Sequence, residues 1–270
     1  MVQPSSLASS LPTAPFAVPP FIVHARDIVG STSDEAKALA QAGAPDGSVV
    51  WAREQSAGRG RYTRQWLSPP GNLYLSAVLR PAIPPARTAE LGFLAALAVA
   101  ETVDAFRASA PPARLKWPND VLVDGRKIAG ILLEGQVTDT RLAWVIAGIG
   151  INVRGAPENI NMRGAPENPA TSPATSLAAC GAGDLAARQV LETLLARLGA
   201  WLEIWPHSGF APVREAWMAR AARLGQAVTV RIGAEPLAGR FLGIDPDGAL
   251  LLETPLGTRR ITAGEVAFGP

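Results

Sequence analysis

Short apolar runs recur along the first two-thirds of the chain. Phe21–His24, Ser48–Ala52, Leu73–Leu79 and Leu142–Ile149 read as buried strands between turn residues. Helical spacing appears between them. In GSTSDEAKALAQAG, Thr32 followed by Glu35 forms a capping-box pattern and Ser31 with Asp34 offers a second, so a helix is expected to about Gln41, stopping at Gly43. A long apolar-faced helix is expected from near Thr88 to about Ala108, ended by Pro111-Pro112. Two more are expected over Leu185–Trp205 and Val213–Ala221.

The stretch that organises the rest is KWPNDVLVDGRKIAGILLEG, Lys116 to Gly135. Asp124-Gly125 is a hairpin turn dipeptide with apolar residues on both sides, so the stretch reads as a β-hairpin with polar groups at its rim. From Gly225 the texture changes to AVTVRI, LAGRFLGI, ALLLE, TRRITA and EVAFG, short strands split by turns such as Asp247-Gly248. That is the pattern of a small all-β module. The organisation predicted is a disordered lead at 1–20, an α/β part at 21–222 and the β module at 223–270. Residues 151–168 hold a tandem repeat, INVRGAPEN then INMRGAPEN, in which only Val153 and Met162 differ. One pair of such units makes no solenoid, and a duplication inside a mobile surface loop is the economical account.

Composition narrows the options. The chain has 270 residues, is 48% hydrophobic, and carries a net charge of +2. It can bury a sizeable core, and it lacks the clustered basic footprint of a nucleic-acid binder. One cysteine, Cys180, excludes an internal disulfide framework and fits a reducing, cytoplasmic setting. One Cys with two His residues, His24 and His207, argues against a conventional zinc site. The most apolar stretch, Leu91–Val103, is too short to cross a membrane and is interrupted by Glu101. The proline-broken N-terminus has no basic region and is a poor signal peptide.

Of 25 basic side chains only Lys37, Lys116 and Lys127 are lysine, and two of these lie in the hairpin. A compact ammonium there could meet a carboxylate or phosphate oxygen, or merely blunt a strand edge. The hydroxyls of Ser31, Thr32 and Ser33 at a helix start suit a polar or anionic ligand, or simply cap the helix. Arg53 to Arg64, REQSAGRGRYTR, is a Gly/Arg loop. It is neither a P-loop nor a dinucleotide fingerprint, since Thr63 stands where the third glycine would be. It could be a solvated turn or a loop that orders over an anion.

In order and spacing, STSDEA, QSAGRGRYTRQWLSPPGNLYLS, LKWPNDVLVDGRKIAGILLE and GIGINV resemble the biotin protein ligases, the biotin–[acetyl-CoA-carboxylase] ligases, over about residues 21 to 268. The resemblance implies an α+β fold. A mixed-sheet catalytic domain of the class II synthetase/biotin-lipoate ligase kind is flanked by helices and followed by a small SH3-like barrel. It implies ATP-dependent activation of biotin as biotinyl-5′-adenylate, then transfer to one lysine of a biotin carboxyl carrier protein.

By the same resemblance Ser31, Thr32, Ser33, Gln55, Gly58, Arg59, Gly60, Arg61, Lys127 and Gly130 are expected on the biotin side. Lys127 and Arg61 are the catalytic pair. Arg64, Trp66, Lys116, Asn119, Asp120 and Asn152 are expected on the nucleotide side, with Trp66 against adenine and Asp120 holding Mg²⁺. Tyr62 and Thr63 depart from the Arg- and Gly-rich loop of the family. Some relatives carry an N-terminal DNA-binding domain; about twenty residues leave no room for one, so no nucleic-acid or membrane partner is expected. Strand and helix edges carry no readable signature of oligomeric state, which leaves a homodimer open. Competing readings are a lipoate or octanoate ligase or transferase on the same fold, a non-catalytic biotin or nucleotide sensor, and an RNA-binding module using the Arg/Gly loop.

Overall fold

The computed structural model describes residues 11–62, 64–107, 110–156, 173–233 and 235–268. The first repeat unit is therefore described only through residue 156, and the second, like Thr63, lies outside these residues.

Eight strands form one mixed sheet in the order β1-β2-β3-β4-β8-β7-β6-β5. They are β1 (Phe16–Val18), β2 (Phe21–Val29), β3 (Ser48–Gln55), β4 (Leu73–Leu79), β5 (Arg114–Lys116), β6 (Asp120–Val123), β7 (Arg126–Thr138) and β8 (Arg141–Ile151). Only β2 and β3 run parallel, joined by the helix α1 (Thr32–Gln41). Order begins earlier than the expected Phe21. Phe16–Val18 already pairs with Phe21–Val23, so the lead is ordered at least there. Flanking prolines and a length of 3 residues hide this strand in the sequence, and its partner supplies what the local pattern lacks.

The two sheet faces are covered differently. Ala36 and Ala40 of α1 pack on Val50, Val78 and Ile146. The other face carries the larger core, built with α2 (Glu90–Ala105), α3 (Ala187–Ser208) and α4 (Ala211–Arg220). Helix α2 is apolar nearly all round, as a helix enclosed by sheet and neighbouring helices must be. Its buried Glu90 accepts from Arg87 and from Trp205 Nε1 at 2.6 Å. No described helix is long and apolar enough to cross a membrane.

The expected hairpin is there, with Asp124 and Gly125 both in the left-handed region at φ 50° and 74°. It is wider than expected, because β5 pairs back on β6 to make a three-stranded meander. The C-terminal strands β9 (Ala227–Ile232), β10 (Glu235–Ile244), β11 (Leu250–Thr254), β12 (Gly257–Ile261) and β13 (Glu265–Ala267) form a second, antiparallel sheet ordered β12-β11-β10-β9-β13. This is the SH3-like module; among the described residues its ladder stays open between β12 and β13. It is tied to the preceding part of the chain where Trp117 Nε1, beside β5, donates to Gly248 O at 3.1 Å and Arg214 Nε of α4 donates to Ile244 O at 2.7 Å.

Candidate functional site

A cleft of about 940 Å³, including its open mouth, lies where the Gly/Arg loop crosses the sheet. Its floor follows from register. Lys116, Asp120, Gly130, Gly150 and Tyr74 are successive cross-strand partners over β5, β6, β7, β8 and β4. Partners directly opposite share a face, so two adjacent glycines leave a bare trough in the sheet. Trp66 lies in it. A Cβ on Gly150 would meet the indole at 2.6 Å, and one on Gly130 would meet it at 3.1 Å. The indole Nε1 is buried and has no hydrogen-bond partner among the described residues.

One wall is neutral and rich in hydroxyls. Ser31 is the N-cap of α1, accepting from Ser33 N at 3.3 Å. The capping box expected from Thr32 and Glu35 is not the cap used. Thr32 is the first helical residue, and its hydroxyl turns inward to Gln55 Oε1 at 3.0 Å and Ser76 Oγ at 2.8 Å. Ser33 Oγ also meets Ser76, at 3.1 Å. Gln55 accepts from Thr32 N and donates to Ser68 Oγ, both at 2.8 Å. This small network is held at the junction of α1, β3 and β4.

The opposite wall is cationic. Lys127 Nζ lies 2.5 Å from Asp120 Oδ1 and 5.3 Å from the Trp66 ring centre. The loop folds back on itself as a narrow finger: Gly60 N donates to Arg64 O at 2.7 Å, and Trp66 N to Gly58 O at 2.9 Å. That finger presents Arg61 and Arg64 to the cleft. Arg61 Nη1 donates to Gly264 O at 3.2 Å and reaches Asn119 Oδ1 at 3.5 Å, while Arg64 is paired with Glu265. The C-terminal sheet thus contributes an edge of the cleft through Gly264 and Glu265. Burial pulls the Arg64 guanidinium below its ordinary value, and nearby Asp120 partly offsets this. Within the finger, Arg59 pairs with Asp34 at 2.8 Å and with Glu134 at 2.9 Å.

The cleft brings together Ser31, Thr32, Ser33, Gln55, Arg59, Gly60, Arg61, Arg64, Trp66, Asn119, Asp120, Lys127 and Gly130. Gly58, Lys116 and Asn152 are not on its wall. Gly58 is the tight point at the root of the finger, where a Cβ would strike Ser68 Oγ at 2.6 Å. Lys116 is buried one strand beyond Asp120, with Nζ 5.1 Å from the Phe268 ring centre. Its ammonium is held below the usual lysine range by burial, against the pull of Asp120. Asn152 is buried too, and its Nδ2 donates to Thr175 O at 2.9 Å, fixing the backbone behind Lys127. Sequence reasoning missed Gln65, Gly148, Gly150 and Glu265 on the wall. The alternation Gly148-Ile149-Gly150 was a readable signal, since glycines two apart bare one face of a strand.

Residues 27–152 match the Biotin/lipoate A/B protein ligase family, and residues 224–269 match the Biotin protein ligase C terminal domain. The chain is 43% identical over 241 residues to a biotin–[acetyl-CoA-carboxylase] ligase of Paracoccus denitrificans, covering 88% of this chain and 97% of that one. It is 35% identical to the bifunctional ligase/repressor BirA of Bacillus subtilis, covering 90% of this chain and 73% of that one. Among solved structures, a biotin protein ligase from Aquifex aeolicus in complex with biotin and ATP superposes with a TM-score of 0.73 at 28% identity, covering 91% and 97%.

Proposed function

The chain belongs to the biotin protein ligase family, and on that premise we propose how its cleft carries out the ligase reaction. The enzyme joins biotin to ATP and then to a protein. In the first half-reaction the biotin carboxylate attacks the α-phosphorus of ATP. The bond to the β,γ-diphosphate breaks, pyrophosphate leaves, and biotinyl-5′-adenylate forms. In the second, a lysine amine of a biotin carboxyl carrier protein attacks the acyl carbon, and AMP leaves.

The observation that carries the assignment is the two-sided wall. A neutral network of Ser31, Thr32, Ser33 and Gln55 faces a cluster of Lys127, Arg61 and Arg64 with Trp66 between. The first suits the uncharged ring system of biotin, whose polar atoms need placed donors and acceptors. The second suits the point where two anions must meet. Cations lower the repulsion between carboxylate and triphosphate and stabilise charge developing on phosphorus. Lys127 and Arg61 are assigned to the reacting oxygens. Arg64, Asn119 and Trp66 are assigned to the nucleotide, with Lys116 and Asn152 supporting from behind. Arg59, Gly58 and Gly60 shape the covering finger, and Gly130 lets the ligand approach the sheet. No nucleophilic side chain is needed. A covered site also protects the mixed anhydride from water.

Mg²⁺ is assigned to Asp120. Among the described residues no three His, Cys, Asp or Glu side chains gather into a metal cage. One carboxylate beside a triphosphate site is nevertheless the donor set Mg²⁺ commonly uses, since it retains waters and phosphate oxygens. The ion, when bound, would neutralise phosphate charge. The single cysteine supports a cytoplasmic setting. The test is to mix the protein with biotin and Mg·ATP and trap the product with hydroxylamine. Biotinyl hydroxamate in step with pyrophosphate is the expected result; pyrophosphate without hydroxamate would overturn it.

A further inference from the structure

Tyr62 sits in the covering finger but not on the cleft wall, and the chemistry above gives it no part. Its backbone is left-handed, at φ 54°. Bulky residues seldom adopt that conformation, and one that does is held there by its surroundings. Burial is not the reason, because the side chain is 56% exposed. The ring instead lies within cation–π reach of two guanidinium groups. Arg61 Cζ is 4.8 Å from its centre and Arg64 Cζ is 5.8 Å from it. Arg61 Nη2 also donates to the Tyr62 hydroxyl at 3.0 Å. The far ends of both arginines are anchored on the C-terminal sheet, at Gly264 and Glu265.

Arg61 and Arg64 repel each other, and the negative face of an aromatic ring within reach of both offsets the repulsion. Resting on the ligase reading, we infer that Tyr62 is a positioning residue. Its ring gathers Arg61 and Arg64 into one cluster, keeps the finger down over the cleft and slows escape of the acyl-adenylate. The charge pair is thereby fixed by an aromatic rather than by further charge. The departure from the Arg- and Gly-rich loop at this position is then a different means of closure, not a loss of it.

The test is a release experiment. Enzyme is loaded with biotin and Mg·ATP, separated from both, and the escape of biotinyl-5′-adenylate is followed. Tyr62→Asn removes the ring but tolerates the left-handed backbone. Tyr62→Gly is a second ring deletion with no steric cost there. Both should release adenylate about tenfold faster than wild type, the size expected for two partly exposed cation–π contacts. Tyr62→Phe keeps the ring and should stay within about threefold. In an Arg61→Ala, Arg64→Ala background, loaded directly with synthetic biotinyl-5′-adenylate as are matched wild-type and ring-deletion controls, the ring deletion should have no further effect on release, which a merely structural role would not predict. Wild-type release rates in both deletions, or an undiminished effect in the double-arginine background, would overturn the inference while leaving the ligase reading intact. A wild-type enzyme that forms no adenylate would overturn both.

Discussion

Lys127 faces Asp120 across 2.5 Å because β7 carries one residue more than β6 needs. Asp120 pairs with Gly130 and Val121 with Ala129, but Leu122 pairs with Lys127, leaving Ile128 unopposed. Strand side chains alternate faces, so residues 127 and 130 would ordinarily point opposite ways. The bulge restores them to one side and puts the ammonium over the glycine trough. Backbone bonds on the outer edge of the bulge, Lys127 N to Pro173 O at 2.6 Å and Thr175 N to Lys127 O at 2.9 Å, hold it there.

Lys127→Ala is therefore expected to abolish activation without unfolding the chain. Biotin-dependent pyrophosphate release should fall by at least about a hundredfold, as for other removed charge stabilisers. Circular dichroism should be unchanged. Near-normal release would remove Lys127 from its assigned role.

Gly150→Ala tests the trough. The new Cβ would stand 2.6 Å from the Trp66 indole, which must then move. Overpacking of this kind costs about 1–3 kcal/mol. Calorimetric titration should show ATP affinity falling about tenfold or more, with biotin affinity falling less. Unchanged ATP affinity would place the nucleotide elsewhere.

Thr32→Val tests the neutral wall. It removes the hydroxyl shared by Gln55 and Ser76 while preserving shape. Leaving buried polar partners unsatisfied costs about 1–3 kcal/mol, readable as a lower denaturation midpoint. The biotin KM should rise while the ATP KM holds. A rise in the ATP KM alone would reverse the assignment of the two walls.

The C-terminal sheet has a pH signature. Burial disfavours ionised Asp245, but hydrogen bonds from Arg260 and from the amides of Ala249 and Asp247 outweigh it, and its carboxyl is held below the usual range. A depressed carboxylate adds stability above its unfolded pKa, near 4, and loses it as pH falls through the lower folded value. The melting-temperature gap between wild type and Asp245→Asn should therefore be widest near neutrality and shrink as pH falls below the ordinary carboxylate range. A gap independent of pH would show that the charge contributes nothing.

Much of this was legible in the sequence where local chemistry decides the outcome. Asp124-Gly125 demands a left-handed turn, Leu73–Leu79 is apolar but for Ser76, and Ser31 must end or begin a helix. What was hidden depends on partners distant in sequence. Phe16–Val18 becomes a strand only because β2 is there to pair with it. The bulge at Ile128 has no local signature, and it decides which way Lys127 points. Glu265 reaches the cleft from the opposite end of the chain, and Arg61 is anchored to a carbonyl 203 residues away. Lys116 and Asn152 carry polar groups of the right type but lie behind the wall, a distinction only packing can make.

The central claim is that this cleft activates biotin with ATP. It is tested most directly by ATP–pyrophosphate exchange with Mg²⁺ present and biotin, lipoate, octanoate or no acid added. Exchange with biotin alone is the predicted result. Exchange driven by lipoate or octanoate, or none with any acid from folded protein, would contradict it.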